Sequence, residues 1–349
     1  MLLGSHLSFL RHLPFGLGAW TQYSLLGWPL HSSYHLHHKL GPAFTIVSPA
    51  KNEITVADPV AAEELLSKYK VWTKPSELYE IFNVFGKNVN SVNGEDWQRH
   101  RKITGTTFKE SNYRIVWDES VKQAGQMCKV WEKAEEITLR RVIDDFALLA
   151  MHVLAMGGFG KEYDFDGTGL DEVEAGHQIS YGTAMKTILL NVMSVVLFSG
   201  LKAPSWLLPK SLKELQVATK DFKKYLAERV ADERKSAEKG EIKDNLMSML
   251  VRANEAAKNE DGARMVLSDD ELYGNLFIFN LAGYETTAGT LVYALSLLAA
   301  FPDVQNWVME EVDSNTERIQ KGNYDEAFPK LVRCLAVMVS YCSTICDNS

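Results

Sequence analysis

The chain has 349 residues, 46% hydrophobic and 23% charged, with a formal net charge of −8. That balance suits a globular protein and excludes a disordered one. With no basic face to neutralise phosphates, nucleic acid is excluded as a general partner, and four unevenly spaced cysteines, Cys128, Cys334, Cys342 and Cys346, form no disulfide framework and fit a reducing compartment.

The first thirty residues are apolar but broken by Arg11, His12, Pro14 and several glycines. They hold no uninterrupted run of about 20 apolar residues, so neither a transmembrane anchor nor a signal peptide is expected. Trp20 and Trp28 have two readings, contact with a membrane surface or packing against the body. His31, His35, His37 and His38 lack an acidic or cysteine partner, which favours a solvated helix over a metal site.

Residues 43–47 and 53–57 are β-rich runs separated by S-P-A-K-N, the pattern of a hairpin. Asp58 then caps a helix that opens at Pro59. Residues 79–93, rich in aromatics, asparagine and glycine, predict a long irregular loop of the kind that borders binding sites. In the following W-Q-R-H-R segment, Trp97 and Arg101 are four apart and share a helix face. An indole N–H and a guanidinium there can hold a carboxylate, and an amphipathic helix with a buried Trp and a surface Arg gives the same pattern.

Residues 113–159 read as helical, with Val130, Trp131, Ile143, Phe146, Leu149 and Leu154 as core positions. Residues 188–198 read as a buried helix too short to span a bilayer, and residues 199–211, with Leu201, Trp206, Leu207 and Leu208, as a packed or membrane-dipping loop. Ser211 and Glu214 form a capping-box pattern ahead of a long charged helix. A shorter helix is expected over residues 246–257.

The dominant stretch is residues 268–301. Ser268 and Glu271 are a capping box, Pro302 closes the far end, and Glu285 is the one charged residue between Leu272 and Phe301. A helix so apolar is either a buried central helix or a membrane span; Asn275, Asn280, Glu285 and the threonines argue against lipid. Glycines 283 and 289 weaken the helix, and Thr286 and Thr287 can bond backward and bend it. The A-G-Y-E-T-T turn therefore marks a site, with close helix packing and a snorkelled glutamate as the plainer reading.

Mostly helical, with a small β element near the front, the chain resembles a fungal-type cytochrome P450, a haem-thiolate monooxygenase. W-Q-R-H-R at 97–101 is similar to that family's W-x-x-x-R helix, and A-G-Y-E-T-T at 282–287 to its oxygen-groove motif. The resemblance implies haem as cofactor, with Trp97 and Arg101 at a propionate and Ala282 and Gly283 passing close over the porphyrin. It implies Glu285 and Thr286 as the catalytic acid and alcohol that relay protons during oxygen activation. It also implies a small organic substrate, an NADPH-dependent reductase, and a place at the cytosolic face of the endoplasmic reticulum membrane. The loop before Trp97 and the segments near Ile188 and Trp206 would line the substrate entrance.

The family's E-x-x-R helix, aromatic-Arg segment and glycine-rich cysteine loop have no counterpart in these residues. The expected organisation is an N-terminal segment at 1–42 with a membrane-surface option, a partial cytochrome P450 domain at 43–338 lacking the C-terminal haem-thiolate region, and a tail at 339–349 foreign to the fold. A helix beginning near Pro329 should fail after Met338, because V-S-Y-C-S-T-I-C-D-N-S is poor in helix formers. Val-Ser is also what a retained splice donor would encode. Neither Cys342 nor Cys346 sits in a loop suited to bind iron, so no metal ligand is expected. The alternative to an enzyme is a non-catalytic helical fragment or regulatory protein that binds a partner through the surface left open.

Overall fold

The computed structural model describes residues 23, 28, 34–48, 52–134, 136, 138–167, 172–192, 194–195, 208–241, 243–260 and 266–347. The chain divides into two compact units, Met1–Trp72 with Leu335–Ser349, and Thr73–Cys334.

In the first unit, helix α1 (His35–Leu40) is solvated and leads through Gly41 into the hairpin of β1 (Ala43–Val47) and β2 (Asn52–Val56). The strands are antiparallel, with Thr45 opposite Ile54. Trp28 is buried and its ring packs near Phe44 and Tyr23, so this indole belongs to the protein interior rather than a membrane surface. Helix α2 (Pro59–Ser67) starts as expected, with Asp58 accepting from the Ala61 N–H at 2.7 Å. His31 and Trp20 lie outside the described residues.

The second unit is helical. After α3 (Ser76–Tyr79) and a 3₁₀ turn (Glu80–Phe82), an irregular stretch reaches α4 (Gly94–Gly105). Then come α5 (Glu110–Glu132), α6 (Leu139–Phe159), α7 (Tyr181–Leu190), α8 (Lys210–Glu238) and α9 (Leu246–Glu260). The central helix α10 (Asp269–Ala300) is followed by α11 (Pro302–Gln320), turned by 113° at Pro302, then by α12 (Tyr324–Ala327); α13 (Val332–Asp347) begins in this unit and from Leu335 onward belongs to the first. α10 lies along α6, which also packs on α5; α8 holds α7 and α9. The core they enclose is made of large side chains such as Phe222, Tyr225, Leu250, Leu276 and Phe277, each at most 1% exposed.

Several expectations are corrected. α8 starts at Lys210 behind Pro209, whose fixed φ sets the helix entry; Ser211 is therefore inside the helix and caps nothing. The apolar stretch beginning at Ile188 starts earlier as α7 and is interrupted at Asn191, whose N–H reaches the Ile188 carbonyl; the described residues 192, 194 and 195 are helical again, with the Val195 N–H donating to the Asn191 carbonyl at 2.9 Å, and residues 196–198 and Trp206 lie outside the described residues. Ile143 is exposed, because it faces the shallow side of α6 near Tyr284 rather than the core. Phe328–Lys330 form a 3₁₀ turn, and α13 begins at Val332 and continues past Met338 to Asp347. Once a helix is nucleated, propagation through weak formers costs little per residue. Among the described residues α6 is long and apolar enough to cross a membrane, with mean hydropathy 1.6, but half of that stretch is buried inside the protein, as in a core helix.

Candidate functional site

The site is built outward from the first turn of α10. Ser268 Oγ accepts from the Glu271 N–H, and Glu271 Oε2 accepts from the Ser268 N–H at 2.8 Å, completing the capping box. The same carboxylate receives Arg99 of α4 in a two-pronged contact of 2.6 and 2.8 Å. Arg99 also donates to the Val266 carbonyl. Burial by itself would raise the Glu271 carboxyl, but Arg99 and the Ser268 N–H outweigh it and hold it at about 2.

His100, fully buried, continues the lock. Its Nε2 is 3.3 Å from Glu271 Oε1, and Asn275 donates to its Nδ1 at 2.9 Å. Those contacts fit a neutral ring with its proton on Nε2, and burial pushes its pKa below the usual value despite the neighbouring carboxylate. Asn275 Oδ1 in turn accepts from the Val89 N–H at 2.9 Å. One amide thus ties the irregular stretch before Trp97, the helix that carries Trp97, and the central helix together.

Backbone approach makes this possible. A Cβ at Gly274 would collide with the Gly86 carbonyl, and a Cβ at Gly86, held at φ +154, would collide with the Asp270 carbonyl. Two glycines let the loop lie directly on the helix.

The residues singled out from the sequence fall around this lock without touching it. On α4, Trp97 is half-buried and Arg101 is exposed; no hydrogen bond or ion pair engages the Arg101 guanidinium among the described residues. On α10, Ala282, Glu285 and Thr286 are exposed, about 16 to 22 Å along the axis from Glu271 at 1.5 Å per residue. The expectation of a helix covered on nearly every side fails over this stretch, and the Glu285 carboxylate is exposed, as the snorkelled reading has it. Thr286 Oγ1 donates to the Ala282 carbonyl, yet the helix runs through this turn unbroken. Gly283 answers to packing: a Cβ there would stand 2.8 Å from Leu154 Cδ2 on α6. Beside this face, Tyr284, Glu285, Leu189 and Leu190 line an open cavity of about 810 Å³.

Arg99, His100, Gly86 and Gly274 were not singled out by sequence reasoning, and Asn275 entered it only as a residue ill-suited to lipid. Their partners lie about 170 to 190 residues away, and the available signal was indirect: a buried-helix asparagine and a glycine in a helix start.

The fit to haem is divided. An unpaired guanidinium on α4 and a bare strip of small and hydroxylic residues on α10 suit the edge and one face of a planar acidic cofactor. The thiol side does not fit. Burial, then the adjacent Glu311, push the Cys334 thiol up to about 11, the reverse of what a thiolate ligand needs. Glu311 is engaged by the Arg333 and Cys334 N–H groups at the start of α13. Among the described residues, no group of three or more histidines, cysteines or acids is placed to hold a metal.

The cytochrome P450 family profile matches residues 10–327. The chain is 33% identical over 291 residues to cytochrome P450 monooxygenase 124 of Postia placenta, covering 81% of this chain and 54% of that protein. It is 29% identical over 347 residues to a cytochrome P450 monooxygenase of Arthrobotrys oligospora, covering 92% of this chain and 58% of that one. A crystal structure titled cytochrome P450DA heme domain superposes with a TM-score of 0.62 at 19% identity, over 87% of this chain and 62% of that one. That likeness bears on the fold. The chain spans a little over half the length of the curated relatives it matches.

Proposed function

Because the chain belongs to the cytochrome P450 family, we propose that these residues form the oxygen-side part of a haem-dependent monooxygenase and are inactive without a thiolate-bearing part. The observation that carries the reading is the bare A-G-Y-E-T-T face: Ala282, Glu285 and Thr286 stand exposed on a helix otherwise apolar enough for a core. Haem supplies the oxygen-activating chemistry when bound. Trp97 and Arg101 would hold its acidic edge, and Ala282 and Gly283 would allow close approach of its face. Thr286, its proton committed to the Ala282 carbonyl, keeps lone pairs free to accept a hydrogen bond. Glu285, open to water, can take up and deliver protons.

In this reading the reaction inserts one atom of O2 into a small organic substrate, with electrons from an NADPH-dependent reductase at the cytosolic face of the endoplasmic reticulum. The cavity beside Glu285, Leu189 and Leu190 supports a substrate approach along α7.

The test joins residues 1–338 to the C-terminal part of the Postia placenta relative beyond its match. The chimera should bind haem and give the thiolate-type difference spectrum with carbon monoxide after reduction, and Arg101→Ala should lower its haem content severalfold. The 349-residue chain alone should give no such spectrum. That spectrum from the chain alone, or a folded chimera without haem, overturns the proposal.

A further inference from the structure

The cavity between α6, α7 and α10 carries polar groups that the proposed function leaves unused. Its volume is about 810 Å³, inside the range of roughly 300–1,000 Å³ that holds drug-sized ligands. Ile143 and Ala147 of α6, Leu189 and Leu190 of α7 and Val292 of α10 make its walls apolar. On α10 the lining residues Glu285, Ala288, Val292 and Ser296 are spaced by three, four and four, a single helical stripe. The stripe lies roughly 100° around the axis from Ala282 and Thr286, so a molecule seated there lies beside the strip assigned to the cofactor rather than on it.

Three polar side chains interrupt these walls. Asp144 of α6 and Glu285 of α10 both line the cavity, and neither carboxylate meets a cation or a hydrogen-bond donor among the described residues. Asp145, one residue on, is the contrast: it receives the Trp131 N–H at 2.6 Å and Arg141 at 3.6 Å. Tyr284 is 7% exposed and lines the same cavity, and its hydroxyl has no hydrogen-bond partner among the described residues. Burial first, then the charges of Glu285 and Asp144, hold this phenol above its usual pKa, so both carboxylates act on one hydroxyl. Leaving a buried hydroxyl unpaired is costly. A cation with N–H donors answers all three groups, bringing charge to the two carboxylates and a hydrogen bond to the phenol oxygen.

We propose that this cavity binds a lipophilic organic amine in its protonated form, the ammonium held by Asp144, Glu285 and the Tyr284 hydroxyl and the hydrocarbon body laid against Leu189, Leu190 and Val292. The inference deepens the proposed function by naming the class of molecule that the side cavity admits. It rests on that reading for the amine's role as substrate, whereas the binding itself needs no haem.

Isothermal titration of the haem-free 349-residue chain with phenylbutylamine, against phenylbutanol as its neutral counterpart, reads the site. At neutral pH and low salt the amine should bind about tenfold more tightly than the alcohol, and an ionic strength of about 0.5 M should remove most of that difference. Asp144→Asn should weaken the amine about fivefold and leave the alcohol and the helix content unchanged. Tyr284→Phe should weaken the amine about threefold; the trimethylammonium analogue, which has no N–H to donate, should be indifferent to that substitution. Gly289 lines the cavity with nothing within 4 Å of an added Cβ, so Gly289→Leu should fill the space and abolish binding of amine and alcohol alike. No binding of the amine, equal binding of amine and alcohol, or amine binding that survives Gly289→Leu overturns the proposal. Amine binding by a chimera that takes up no haem would count against the proposed function and leave this site standing. A thiolate-type spectrum from a chimera that fails to bind the amine would do the opposite.

Discussion

The two halves of the central helix are alike in composition and opposite in surroundings. From Leu272 to Asn280 nearly every residue is buried, and Gly274 touches loop backbone; beyond Asn280 only Tyr284, Ala288 and Ala294 are buried, while Tyr293 and Leu295 are more than 40% exposed. The exposed apolar row continues into α11 at Val304, Trp307 and Met309. Apolar sequence thus records what a helix is written to be packed against, and exposure records what these residues leave uncovered.

Substitutions can break that contrast. Phe277→Ala should destabilise the protein by about 4 kcal/mol through the cavity it leaves, whereas Leu295→Ala should stay within about 0.5 kcal/mol; urea unfolding curves measure both. Equal costs would mean that the exposed half is covered in solution. Gly274→Ala, which drives a methyl into the Gly86 carbonyl, should cost about 3 kcal/mol in the same assay.

Glu271→Gln sharpens the contrast by testing what anchors the buried half. Removing the charge opposite Arg99 should cost about 2 kcal/mol. Mild acid should act at a second buried site, His152 on α6, whose Nδ1 lies 3.0 Å from Gln123 Oε1 of α5. Burial, aided by Lys186 and Lys122, lowers the His152 pKa from 6.5 to about 4, so the unfolded chain binds more protons between those values and stability falls as pH drops through that window. Glu271 adds a second loss as pH falls from 4.5 toward 2. Urea midpoints at closely spaced pH values should show both, in that order. The smallest effect has the opposite sign: Gly289→Ala, with nothing within 4 Å of the added methyl, should raise the melting temperature slightly, through a gain of about 0.5–1 kcal/mol in helix propensity.

Much of this was legible from local chemistry. The hairpin, the Asp58 and Ser268 caps, the helix order and the polar turn at 282–287 all depend on neighbours within a few residues, which a sequence displays. The Glu271 lock was half legible: the capping box could be read, but its second use by Arg99 and His100 joins segments more than 170 residues apart, and no periodicity encodes that pairing. The exposure of α10 beyond Asn280 was misread because an apolar helix normally implies cover on all sides. Ser211 was misread because Pro209 sets the helix start two residues earlier.

The shared use of Glu271 has a consequence for how the molecule opens. One carboxylate closes the first turn of α10, receives Arg99 and meets His100, so fraying of the helix start and release of α4 are one event rather than two. Amide hydrogen exchange should therefore report a single opening free energy for the first turn of α10 and for the middle of α4, a cooperative unit assembled from the two ends of a long stretch of chain.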